Sequence, residues 1–173
     1  NALFQAQQFA EAAECYAQAL AGLRAHPNAT ETQALQVPVR LNLAASLLRQ
    51  ETQLDQVVSL CSEVLALEPS SSKALFRRGY AQQSLCATMS DANARRSGLQ
   101  AARKDLTQAA KLEPGNRQIR MALEEVGKVL ADMPRAGGLL LGRELYSDRQ
   151  AADVSEPLPV CSVCHHVGHS DCG

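Results

Sequence analysis

The tripeptide Leu-Glu-Pro occurs twice, at 67–69 and at 112–114. Each copy closes one amphipathic stretch and is followed by a short cap and then by another such stretch. The segments VLALEPSSSKALFRRG and AAKLEPGNRQIRMAL share this grammar. Proline has no amide donor and biases the residue before it away from helix, so a helix stops there. A chain that ends its helices twice by the same device is built from repeating helix pairs.

The rest of the pattern fits that reading. In 9–24, Phe9, Ala12, Ala13, Tyr16, Ala19, Leu20 and Leu23 fall on one helical stripe. Residues 26–36 break the pattern at Pro27 and Asn28, and His26 is placed in that loop. Pro38 suits the first turn of a helix running to about Gln50. A further helix is predicted over 55–67, and Ser70–Ser72 offers caps for one over 73–87. After the polar stretch TMSDANARRSG, helices are predicted over 99–112 and from Gly115-Asn116 to about Asp132. Residues 134–138 break the chain again. A last helix is expected within 139–152, and 153–173, with Pro157 and Pro159, reads as an extended tail. The fold class expected is all-α.

Composition narrows the function. The chain has 173 residues, enough for one well-buried domain, with 46% hydrophobic and 3% aromatic residues. It contains no apolar run of membrane-spanning length, and no signal peptide is expected from its composition. It opens on Asn1 inside a helical pattern, so an upstream segment is expected. Residues 1–68 carry three basic and seven acidic groups, 69–120 ten and three, and 121–173 four and eight, giving −4, +7 and −4. The middle third is suited to an acidic ligand. Nucleic acid is disfavoured, because aromatics do not interleave with the basic residues. Cys15, Cys61 and Cys86 are expected to be core thiols, and nothing suggests a secreted disulfide framework. A reducing, cytoplasmic setting follows.

The repeat has a family likeness. The tetratricopeptide repeat (TPR) has a period of about 34 residues, small residues at fixed positions and a closing proline. Counting back from Pro114 puts Ala102, Leu106 and Ala109 at the small-large-small positions of a second helix. Ala12, Tyr16 and Ala19 have the same spacing, and Val57, Cys61 and Val64 match more loosely. Gly79 fits the position where paired helices approach most closely. Residues 1–132 thus resemble a TPR solenoid of three repeats plus a capping helix, the first helix truncated. Gly79 to Ala102 spans 23 residues, where the repeat expects about 12. The excess, near 88–98, is expected to lengthen the turn within repeat three.

The closer resemblance is to co-chaperone TPR domains, including those attached to large immunophilins. These hold the Glu-Glu-Val-Asp end of cytosolic heat-shock chaperones of the seventy- and ninety-kilodalton classes in a two-carboxylate clamp. On that likeness NALF supplies Asn1, RLNLAASLL supplies Asn42 and KALFRRG supplies Lys73 and Arg77. The family's first Lys would stand four residues before Asn1. Phe4 and Ala45, one turn after the two Asn, would form part of a peptide pocket. The chemistry agrees independently. Lys73 and Arg77, four apart, share one helical face. Arg can hold a carboxylate with two parallel bonds, and Lys adds a point charge. Asn42 could instead be a satisfied core amide, and Lys73 and Arg77 a solvated face. Arg78, about 100° round the helix, reads as solvated or packing.

The tail CSVCHHVGHSDC offers Cys161, Cys164, His169 and Cys172, a ligand set that suits tetrahedral zinc. It resembles part of a CCHC knuckle or of a RING-like finger, and His165 or His166 could replace His169. An accidental cluster is the alternative. No phosphate-cradling loop and no nucleophile–base pair suggests an enzyme within this segment. The function expected is a peptide-binding adaptor without membrane or nucleic-acid partners. The alternative is a scaffold subunit whose zinc tail contacts protein or RNA.

Overall fold

The structure, a computed structural model, describes residues 2–25 and 30–134. Among these, all regular structure is helical: α1 (Ala2–Gln5), α2 (Phe9–Ala25), α3 (Thr30–Gln50), α4 (Leu54–Leu67), α5 (Ser72–Ala87), α6 (Ala92–Leu112) and α7 (Arg117–Asp132). They belong to one compact unit, Asn1–Pro134. Asn1, the loop at 26–29, the expected helix within 139–152 and the whole Cys/His tail lie outside the described residues.

Each helix packs on its neighbours in sequence, and α3 and α5, and α5 and α7, also meet across the intervening helix. This is the nearest-neighbour stacking of a solenoid. The two Leu-Glu-Pro stops give almost the same geometry. Glu68 (φ −130°, ψ 83°) and Glu113 (φ −129°, ψ 72°) each return their amide to the carbonyl four residues back. Asn116 then caps α7, accepting from the amides of Gln118 and Ile119 at 3.1 and 3.4 Å. Ser71 occupies the N-cap of α5, but its side chain makes no capping bond.

The core follows the second helices of the pairs. Val57, Cys61 and Val64 on α4, and Ala102, Leu106 and Ala109 on α6, are wholly buried. A buried leucine such as Leu106 contributes about 2 kcal/mol. The matching positions on α2 are less covered: Ala12 is buried, Tyr16 half-buried and Ala19 exposed. On that side α2 has only the four residues of α1 to pack against. Gly79 sits where α5 crosses α6. A Cβ there would lie 2.9 Å from Leu106 Cγ and 3.1 Å from the Ala102 carbonyl.

Three expectations need correction. The excess residues of repeat three do not form a long turn: α5 continues to Ala87 and α6 begins at Ala92, its N-cap Asp91 accepting from the Asn93 amide at 2.8 Å. The lengthening falls on α6, which starts seven residues before the predicted Leu99, while α5 ends at Ala87 as predicted. The extension packs, because Cys86 and Leu99 join Leu106, Ala122 and Val126 in one cluster with α7. Arg96 donates to the carbonyls of Met133 (3.1 Å) and Pro134 (2.5 Å), so the extension also holds the end of α7. Pro38 stands inside α3 rather than in its first turn; helix packing on both sides outweighs the one lost backbone bond. Cys15 is exposed, while Cys61 and Cys86 are buried. It lies just outside the arc of Ala12, Ala13 and Leu20 that α2 buries.

Candidate functional site

Helix α5 has two faces with different tasks. Ala74, Leu75, Gly79 and Ala81 are buried against its neighbours. Lys73, Phe76, Arg77 and Tyr80, spaced three and four apart, line a groove of about 710 Å³. Helix α3 contributes Ala45, Leu48 and Arg49, and Phe4 of α1 closes one side. Gln118, Ile119, Met121, Ala122 and Glu125 of α7 form the far wall. The groove is therefore lined mainly by α1, α3, α5 and α7, the first helix of each pair and the capping helix.

The two adjacent arginines have separate roles. Arg78 is tied to Asp105 of α6, Nε to Oδ2 at 2.6 Å and Nη2 to Oδ1 at 2.8 Å. The Asp105 bond is the main reason its pKa is raised. It is a packing residue. Arg77 is half-buried and donates from Nη1 to the Leu41 carbonyl of α3 at 2.7 Å. Among the described residues it has no carboxylate partner. Burial lowers its pKa from the usual guanidinium value, opposed by Cys61. Burial likewise pushes the Cys61 thiol up to about 11, against the pull of Arg77 and Arg78. Lys73 is exposed and has no carboxylate within ion-pair distance among the described residues. The groove thus presents three cations, Arg49, Lys73 and Arg77, with no ion pair to its carboxylates among the described residues.

The nearest acid, Glu113, is otherwise engaged. Ser72 Oγ donates to one of its oxygens and Asn116 Nδ2 to the other at 2.9 Å. These two bonds, and then Lys73, hold its carboxyl below the usual carboxylate range. Phe4 meets Phe9 edge-to-face at 5.1 Å, and Arg49 lies over the Phe9 ring at 6.0 Å. That contact fixes the rim of the groove beside Ala45.

Of the residues picked out by sequence, Lys73, Arg77, Phe4 and Ala45 line this one groove. Asn42 does not. It is half-buried on α3, beside Leu41, and its carbonyl accepts from Ser46 Oγ at 3.0 Å. Asn1, Cys161, Cys164, His169 and Cys172 lie outside the described residues. The apolar floor of Phe76, Tyr80, Ile119 and Met121 was missed. On α5 its signal is present in the sequence as the four-residue spacing of Phe76 and Tyr80, offset from the core stripe; on α7 Ile119 belongs to the core stripe and Met121 carries no spacing signal.

No family model and no curated protein sequence matches the chain. Solved structures do. The first TPR of Spaghetti (RPAP3), bound to the HSP90 peptide SRMEEVD, aligns with a TM-score of 0.57 at 27% identity, over 76% of this chain and 86% of that one. The NMR structure of the first TPR domain of human RPAP3 aligns with a TM-score of 0.56 at 28% identity, over the same 76% and 86%. The chain has the TPR fold. Its α1–α2, α3–α4 and α5–α6 pairs are three TPR hairpins, and α7 caps the TPR stack. No helix among the described residues is long and apolar enough to cross a membrane.

Proposed function

We propose that the chain is a protein-interaction adaptor of the co-chaperone type. Its groove takes the acidic C-terminal Glu-Glu-Val-Asp peptide of cytosolic heat-shock chaperones of the seventy- and ninety-kilodalton classes. Lys73 and Arg77 meet the carboxylates and Phe4 and Ala45 line the peptide pocket, while Asn1 and Asn42, neither of them in the groove lining described above, would add amide donors as the family likeness implies. The observation that carries this is the pair of cations without carboxylate partners in a groove walled by successive TPR first helices. The likeness to an RPAP3 domain bound to an HSP90 peptide supports it. Charge-assisted hydrogen bonds contribute about 1.5–3 kcal/mol each. Micromolar affinity corresponds to about 8 kcal/mol, so a few such bonds and the apolar floor suffice.

Lys73→Ala is the clean test, because Lys73 is exposed, makes no ion pair among the described residues and reaches Glu113 only through its charge. It should weaken binding of the heptapeptide Ser-Arg-Met-Glu-Glu-Val-Asp by about tenfold or more, the loss of one charge-assisted bond. The helical circular dichroism should stay unchanged. Unaltered affinity would remove Lys73 from the site. From ligand spacing alone we also propose that Cys161, Cys164, His169 and Cys172 bind zinc. Metal analysis of the purified chain should find one zinc that a chelator removes, and a metal-free chain would reject the site.

A further inference from the structure

The far wall of the groove is not a continuation of the clamp. The turns α5–α6 and α6–α7 are four residues each, so α6 runs back along α5 and α7 back along α6. Helices α5 and α7 therefore share a direction. Their Leu-Glu-Pro stops, at Pro69 and Pro114, put them 45 residues apart in register. Lys73 corresponds to Gln118, Phe76 to Met121, Arg77 to Ala122 and Tyr80 to Glu125, and all eight line the groove. The capping helix thus puts neutral residues at both cationic levels and a carboxylate at the level of Tyr80.

That carboxylate is available. Lys128, three residues on along the helix, pairs with Glu124 at 2.7 Å, and Glu125 acts on it only as a lesser, through-space charge. Glu125 has no ion pair among the described residues and is exposed. Tyr80 and Met121, 38% and 57% exposed, line the same groove, so it offers an aromatic ring and a thioether as well as the acid. The other charged groups lining the groove are Arg49, Lys73 and Arg77, and the acids Glu51 and Glu113, the latter held by Ser72 and Asn116.

Resting on the clamp reading, we propose that Glu125, with Tyr80 and Met121, selects a cationic side chain upstream of the acidic motif in the bound peptide. From the level of Lys73 to that of Glu125 is about 10 Å along the helices and about 9 Å across. An extended chain covers that diagonal in about four to five residues. A peptide with its terminal Asp at Lys73 and Arg77 therefore brings the residues four and five positions before that Asp to Met121 and Glu125; in Ser-Arg-Met-Glu-Glu-Val-Asp these are Met and Arg. An Arg or Lys there meets a carboxylate and a ring face, whereas an acidic residue meets like charge.

The test measures the heptapeptide and its Arg-to-Glu form against the wild-type chain, Glu125→Gln and Glu125→Lys by fluorescence anisotropy. The wild type should prefer the Arg peptide by about fivefold, the upper range of an exposed pair. Glu125→Gln should reduce that ratio and Glu125→Lys invert it, and added salt should shrink it. Equal binding of both peptides by the wild type, or the same ratio in Glu125→Lys, overturns the proposal while leaving the clamp standing. Failure of both peptides to bind takes down the clamp reading, and this proposal with it.

Discussion

Arg77 and Arg78 are neighbours with the same side chain, and the fold gives them opposite destinies. Arg78 is neutralised by Asp105, while Arg77 is anchored to a backbone carbonyl and left without a carboxylate. Helical geometry predicts that division, since about 100° of rotation separates them. The cysteines divide in the same way. Cys61 is wholly buried with its pKa raised to about 11, Cys86 is buried and raised also by desolvation, and Cys15 is exposed. Thiolate is the reactive form. Of these three, Cys15 should therefore be alkylated by iodoacetamide within minutes at neutral pH, and Cys61 and Cys86 only on unfolding, as read by peptide mass mapping. The exposure of Cys15 was not legible in the sequence. A cysteine within an alanine-rich helix looks like a core residue until the buried arc is known.

At the scale of elements, close approach decides which glycines matter. Gly79→Ala places a methyl against Leu106 and the Ala102 backbone, and should destabilise by about 1–3 kcal/mol. Gly22→Ala has open space around its Cβ on α2 and should stabilise by about 0.5–1 kcal/mol. Urea unfolding of the two variants checks both signs. Glu113 is a junction of three elements, closing α6 and binding Ser72 of α5 and the N-cap Asn116 of α7. Its pKa is lowered on folding, so its contribution is complete above the unfolded value of about 4.3. It is lost as pH falls through the lower folded value. The difference in melting temperature between wild type and Glu113→Gln should therefore narrow as the pH drops from 6 toward 3, and a constant difference would contradict that role. Helix ends were the legible part of the sequence, because proline and cap residues act locally. The start of α6 was not. Its first two turns carry exposed Ala92, Asn93 and Ala94 and half-buried Arg95 and Arg96, so no apolar stripe announces them. Pro38 misled for a related reason: a local penalty of about 3 kcal/mol is overridden by packing that local rules cannot see.

Over the whole molecule, the TPR stack converts a linear repeat into a groove that no single repeat contains. Phe4, Ala45, Lys73 and Glu125 come from four different helices, the first and last 121 positions apart, and share a groove only because the pairs stack. The cationic half of the groove was legible, since Lys73 and Arg77 lie on one face of one helix. The acidic counterpart was not, because it depends on the register between α5 and α7. A ligand that binds only the folded stack stabilises it, by about 2.7 kcal/mol at a hundredfold excess over Kd. A carboxylate arriving at Arg77 would also give that half-buried guanidinium an opposite charge in addition to the Leu41 carbonyl. The central claim is that this groove grips a free terminal carboxylate. Isothermal titration of the heptapeptide as its free acid and as its C-terminal amide tests that most directly. The acid should bind at micromolar concentration and the amide should lose most of that affinity, by about tenfold or more. Equal affinity for the two would contradict it.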